Sequence, residues 1–374
     1  MKNLVVLFGG KSVEHDISII TGLQIMQNVH PIYNVIPIYI TKEGRWLTGE
    51  KLKDVEFYAN LDESKLKVCY FSTTNNKLKI KNMLGIKEIE IDCVLMALHG
   101  SNGEDGTVQG LLELCGVPYT STSVLGSAVC MDKAITKAVL NANNIKTPQY
   151  YSFLISEYKE NKSNVLSMLK DVYEFPLIVK PCRLGSSVGI IKCKNEKELE
   201  SAIEFASHFD NKIIVEKAIE DFKEVNIACL GIGNKVEFSV LEQVESDGDI
   251  LNFDEKYIKP KHSRKVNVKL EDEIISVICE YAKKAFVACD CSGCVRMDFF
   301  VDSNNEVWLN EINTIPGSMA FYLWKGSKIS FGQLINKLIS MAKEKKKQKE
   351  DLNYVFKTEA LVNFSKLKSG KMHK

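Results

Sequence analysis

Two short runs near the C-terminal end of the chain carry residues suited to chemistry. In NEINTIPG (310–317), Glu311 and Asn313 stand two positions apart, so on a strand they share a face. In CVRMDFF (294–300), Arg296 and Asp298 have the same spacing. Between them lies Asn304-Asn305, a residue type that tolerates positive φ and favours a hairpin turn. A two-residue turn there sets Asp298 opposite Glu311, Arg296 opposite Asn313, and Phe300 opposite Leu309 nearer the turn. A four-residue loop keeps that register and a three-residue loop breaks it. Two carboxylates directly opposite repel. The hairpin alone leaves open a solvent-exposed face, an ion cluster screened by Arg296, or divalent cations between the carboxylates. The oxygens of Asp, Glu and Asn suit Mg²⁺.

VKPCRLGSSVG (179–189) places Lys180 at the end of an apolar run, followed by Gly185, Ser186, Ser187 and Gly189. Backbone N–H groups of such a loop can cradle phosphate oxygens. It is not a Walker A loop, and Gly9-Gly10 does not complete a dinucleotide fingerprint. Lys133, Lys180 and Lys256 could supply point charges for a triphosphate. Each feature also has a plain reading. The glycine-serine loop reads as a tight turn, Lys133 as a solvated helix lysine, Glu216 as an outward strand residue, His99 as a core histidine, and Glu14 as a first-turn carboxylate. Cys289, Cys291 and Cys294 lack the paired spacing of a four-ligand zinc site and read as reduced core thiols.

The elements that must position these residues alternate between strand and helix patterns, which argues an α/β fold. Strands are expected at 3–8, 33–40, 89–98, 175–180, 190–194, 213–219 and 224–232, with the hairpin at 294–313. Helices are expected at 14–29, 106–115, 131–144, 196–209 and 271–289. The first ~120 residues read as a doubly wound unit with loops at strand C-ends open to ligands. Residues 246–265 are polar and aperiodic and read as a long mobile loop. The Lys-rich run from Lys343 reads as a solvated face. A length of 374 residues suggests two or three domains. The net charge of +1 gives no field that favours nucleic acid or an acidic membrane. The apolar run at Leu4–Phe8 is too short for a signal peptide, and no stretch approaches a membrane span, so a cytoplasmic protein is expected.

Taken in order, GGKSVEHDIS (9–18), ALHGSNGEDGTVQG (97–110), MDK (131–133), VKPCRLGSSVG, IIVEKAIEDFKE (213–224), FDEKYIKP (253–260), CVRMDFF and NEINTIPG resemble the D-alanine–D-alanine ligase family of ATP-grasp enzymes over nearly the whole chain to about residue 340. The resemblance implies a three-domain ATP-grasp fold: a substrate-binding α/β domain at 1–121, and two α+β domains at 122–215 and 216–345 that grip ATP. A tail of unknown role follows at 346–374.

It implies Asp298, Glu311 and Asn313 as ligands of Mg²⁺, with Mn²⁺ able to substitute. It assigns Lys133, Lys180 and Lys256 to the ATP phosphates, Ser187 and Val188 to a lid over them, Glu216 with Lys217, Ala218 and Ile219 to adenine, and Glu224 to ribose. Catalytic roles fall to Glu14, Ser186, Tyr257, Arg296 and the Gly317 N–H, and His99 is expected near the substrate carboxylate. The implied partners are small-molecule D-amino acids, with no nucleic acid and no membrane, and the implied assembly is a homodimer. Tyr257 favours an amine acceptor over a hydroxy acid. One departure stands out: where the family has a Ser-Leu pair that holds the second substrate, this chain has Tyr322-Leu323, with Ser318 as another hydroxyl nearby. FYLW also reads as the apolar start of a packing helix.

Overall fold

The computed structural model describes residues 1–246, 262–355, 358–361 and 364–365. Among these, strands form three sheets. The first is built on Lys2–Gly9, which pairs in parallel with Tyr33–Ile40 on one side and Cys93–Met96 on the other. Leu4 to Phe8 are wholly buried, as expected of a central parallel strand covered on both faces. The parallel part is only these three strands. Trp46–Thr48, Lys67–Phe71, Lys77–Asn82 and Gly85–Glu90 extend the sheet in antiparallel fashion. The run expected as one strand at 89–98 is therefore divided between Gly85–Glu90 and Cys93–Met96.

The second sheet is antiparallel, in the order Ile191–Cys193, Leu177–Pro181, Lys212–Lys217, Tyr150–Leu154. The third runs His262–Val266, Glu242–Ser246, Lys223–Ile232, Ser292–Val301, Val307–Asn313, with Lys235–Phe238 also on Lys223–Ile232. The flanks of the expected loop at 246–265 are thus paired strands; its middle lies outside the described residues.

The helix His15–Asn28 follows the first strand, and Thr107–Leu114 follows the HGSNGEDG loop. Asp132 breaks the expected 131–144 helix at its start, capping Lys133–Ala142 by accepting from the Ala134 and Ile135 N–H groups. The last long helix, Phe331–Glu350, opens with a Ser330/Gln333 capping box. It takes in the Lys-rich run, which is not wholly solvated. Lys345 Nζ donates to Ser292 Oγ at 2.7 Å, and burial lowers its pKa to about 8. Lys349 pairs with Glu113 at 2.5 Å. All eleven cysteines are free thiols.

Candidate active site

The hairpin reaches the expected pairing at the site by an unexpected route. Arg296 faces Asn313, Met297 faces Ile312, and Asp298 faces Glu311. Towards the turn the register shifts, so that Phe299 faces Leu309 and Phe300 faces Trp308. The expected Phe300–Leu309 pair is therefore not formed. The loop has three residues, closed by Asp302 N–H to the Glu306 carbonyl at 3.0 Å, with Asn305 at φ 62°. That loop displaces the ladder by one residue, and a bulge at Asn310 displaces it back. The bulge also gives the strand two adjacent residues, Asn310 and Glu311, that both line the cleft.

Arg296 grips Asp298 with two hydrogen bonds of 2.7 Å, from Nε and Nη2, and Asn313 Nδ2 donates to Asp298 Oδ2 at 3.1 Å. Burial opposes the charge on Arg296, and the Asp298 carboxylate more than offsets it, so the guanidinium is held well above its ordinary range. Two of its N–H donors are committed to Asp298, which leaves others for a ligand. The oxygens of Asp298, Glu311 and Asn313 fit a hard divalent cation: their register places them together, and the two carboxylates stand directly opposed. Cys289, Cys291 and Cys294 are core residues; Cys291 lies 3.8 Å from Cys130, and Cys294 accepts from the Trp324 indole.

Between the second and third sheets lies a cleft of about 520 Å³. Lys133, Lys180, Ser186, Ser187, Glu216, Lys217, Ala218, Ile219, Glu224, Asp298 and Glu311 all line it. Ser186 and Ser187 both take φ of 57°, which turns the loop over the cleft. Lys133 Nζ donates to the Leu184 carbonyl at 2.6 Å and so steadies that loop.

At the floor, Glu216 accepts from Lys180 at 2.7 Å and pairs with Lys137 at 3.2 Å. Burial works against the Glu216 charge, but the two lysines outweigh it and keep its pKa below the ordinary value. Burial lowers Lys137 to about 8, with Glu216 resisting and Lys180 adding to the drop. Removing one partner from such a buried cluster typically costs about 3–5 kcal/mol.

Glu14 accepts a hydrogen bond from the Ser186 hydroxyl, which joins the first unit to the glycine-serine loop. A Cβ at Gly185 would stand 3.0 Å from the same carboxylate, so a larger residue there would press on Glu14 by a few tenths of an ångström. His99 is buried between Thr21 and Ile315. Glu104 was not anticipated. It accepts from the Gly100 N–H at 2.8 Å and the Ile315 N–H at 3.0 Å, and burial, helped by Glu14 and Glu311, raises its pKa. Lys137 and Asn310 were also missed. Lys137 had a signal, one helical turn after Lys133 in MDKAITK. Asn310 had none, because a bulge is not visible as a period.

Tyr322 hydrogen-bonds Glu242 at 2.6 Å, and Arg264 sits over its ring. Burial raises its pKa. Its proton is thus committed within the protein. Leu323 is wholly buried with Trp324 in the core, and FYLW begins the packing helix Phe321–Gly326. Tyr257 and Lys256 lie outside the described residues.

Two antiparallel sheets closing on a cleft lined with lysines, beside a hairpin whose two strands carry opposed carboxylates, define an ATP-grasp ligase. Residues 3–122 match the family model for the D-Ala–D-Ala ligase N-terminus and residues 139–340 that for its C-terminus. The chain belongs to the D-alanine–D-alanine ligase family. It is 42% identical to the D-alanine–D-alanine ligase of Thermosipho africanus, across 96% of this chain and 98% of the relative. Among solved structures it is similar to the D-alanine–D-alanine ligase of Coxiella burnetii, with TM-score 0.80 and 30% identity over 94% of this chain and 97% of that one. It is also similar to the VanG D-Ala:D-Ser ligase of Enterococcus faecalis, with TM-score 0.79 and 32% identity over 91% and 99%. No described helix is long and apolar enough to cross a membrane.

Proposed function

We propose that the protein joins D-Ala to a second D-amino acid, D-Ala or D-Ser, at the expense of ATP, for peptidoglycan precursor synthesis. The observation that carries this reading is the register that sets Asp298 against Glu311, with Arg296 and Asn313 beside them, at the end of a cleft lined by Lys133 and Lys180.

Phosphoryl transfer to the carboxylate of the first D-amino acid gives an acyl phosphate and ADP. The amine of the second then attacks that carbonyl, and the tetrahedral intermediate expels phosphate. Such a reaction is governed by positioning and charge neutralisation. Lys133 and Lys180 meet the phosphates, Ser187 and Val188 cover them, and Glu216 with Lys217 to Ile219 faces adenine. Glu224 takes the ribose. Asp298, Glu311 and Asn313 would hold Mg²⁺, or Mn²⁺ in its place, which supplies neutralising charge at the phosphates. Glu14 holds the ammonium of the first substrate, and its bond to Ser186 closes the loop against water, which would hydrolyse the acyl phosphate. The free N–H donors of Arg296 and the Gly317 N–H stabilise the developing oxyanion. Lys256 and Tyr257 complete this set. We place the enzyme in the cytoplasm as a homodimer.

The test is phosphate release from Mg-ATP with D-Ala alone, and then with D-Ser or D-lactate added. Release with D-Ala, increased by an amine acceptor and not by D-lactate, supports the reading. No release with any D-amino acid contradicts it.

A further inference from the structure

The loop that follows the metal-site strand is held by a chain of hydrogen bonds in which every donor and acceptor can be assigned. His99 Nδ1 lies 2.8 Å from the Ile315 carbonyl oxygen, which can only accept, so Nδ1 carries the ring proton. Burial, with Arg296 adding to it, lowers the His99 pKa to about 4, so near neutral pH the ring is uncharged and Nε2 accepts. Its partner at 2.8 Å is the Thr21 hydroxyl, which must therefore donate. The Thr21 oxygen in turn accepts the Ser318 N–H at 3.1 Å.

Other bonds fix the same segment. Glu104 takes the Ile315 N–H, Met319 N–H donates to the Pro316 carbonyl at 2.8 Å, and the Cys294 thiol reaches the Met319 carbonyl. Gly317 opens a tight turn whose next three residues are left-handed, and its own N–H, the first in that turn, has no acceptor within it.

This restraint acts against backbone strain. Ser318, Met319 and Ala320 take φ of 51°, 53° and 49°, three successive non-glycine residues in the left-handed region. Such conformations persist only where the surroundings over-determine them, and they concentrate at functional sites. Thr21 belongs to the helix His15–Asn28 of the first unit, whereas Gly317 follows the last strand of the third sheet. The chain of bonds therefore crosses between the two.

We propose that Thr21 and His99 are positioning residues for the condensation step. They fix the peptides around Gly317 so that its N–H points to where the carbonyl oxygen of the acyl phosphate becomes an oxyanion. Neither touches the reacting atoms, and His99 acts through the loop rather than on the substrate carboxylate. This rests on the reading of Gly317 given above.

Thr21→Val keeps the side-chain shape and removes the hydroxyl. Its kcat with D-Ala falls about 10- to 10²-fold, the scale of a misplaced transition-state donor, while KM for ATP is unchanged. A phosphinate analogue of D-Ala–D-Ala, tetrahedral at the reacting centre, loses affinity by the same factor, because both read the same N–H. Thr21→Ser restores both. His99→Asn, which keeps a donor near Ile315 and cannot reach Thr21, falls with Thr21→Val, and the double variant is no worse than either alone. Thermal unfolding of each variant checks that the fold is kept. Wild-type kcat in Thr21→Val, or a loss of kcat with analogue affinity intact, overturns the relay alone. A wild type that turns over no ATP with any D-amino acid overturns the parent reading and the relay with it.

Discussion

His99 carries a consequence that can be measured apart from catalysis. Its unfolded-state pKa is near 6.5 and its folded-state value is about 4, because burial favours the neutral ring. Between those values the unfolded chain binds the extra proton. The stabilisation from this group is therefore fully present above pH 6.5 and is lost as pH falls towards 4. Unfolding midpoints followed down that window should drop more steeply for wild type than for His99→Gln; parallel slopes would show that His99 titrates normally. At this scale the sequence was informative where a residue type has few uses. Asp298, Glu311, Lys180 and Ser186 were legible, and all line the cleft. Glu104 and Thr21 were not, because their work is done on backbone groups distant in sequence, Ile315 and Ser318. Tyr322 was legible as a departure, but its commitment to Glu242 was not.

The hairpin Ser292–Asn313 shows what an element can hide. Its register at the site was legible from strand periodicity, yet the three-residue loop and the bulge that offset each other were not. Deleting Asn310 should leave Glu311 opposite Asp298 while removing the carbonyl that lies 3.5 Å from Lys137 and the amide that lies 3.4 Å from Lys180. The expected result is a folded protein whose KM for ATP rises about tenfold, the scale of one hydrogen bond to a charged group. An unchanged KM would show that the bulge serves only strand shape. Elements with apolar runs were read close to their true bounds, as with Tyr33–Ile40 and Lys223–Ile232. The antiparallel strands between 67 and 90 went unread because they are rich in lysine and glutamate. Their alternation in KLKIKN is the trace of a strand with one face buried and the other half-exposed.

Across the whole molecule, the cores show which parts pack together. Leu4, Val6 and Phe8 of the first sheet share one core with Ala228 and Leu230 of the third and with Leu334 and Leu338 of the last helix. The second sheet has its own core around Phe153, Leu169, Leu177 and Val215. It meets the rest through a small cluster of Ala134, Cys182 and Ile214 and through polar contacts such as Lys137–Glu216 and Ser186–Glu14. A unit with a separate core and a polar boundary is suited to close over a nucleotide. The α/β class was legible from the alternation of patterns; the sharing of a core between the first and third sheets was not, because it depends on where the last long helix packs. The central claim is that this closure serves the joining of two D-amino acids. The most direct test incubates Mg-ATP with D-Ala and quantifies ADP and dipeptide together, for wild type and for a folded Glu311→Gln variant. The account predicts equal amounts of ADP and D-Ala–D-Ala from wild type and neither from Glu311→Gln. ADP without dipeptide, or full activity of Glu311→Gln at saturating Mg²⁺, would contradict it.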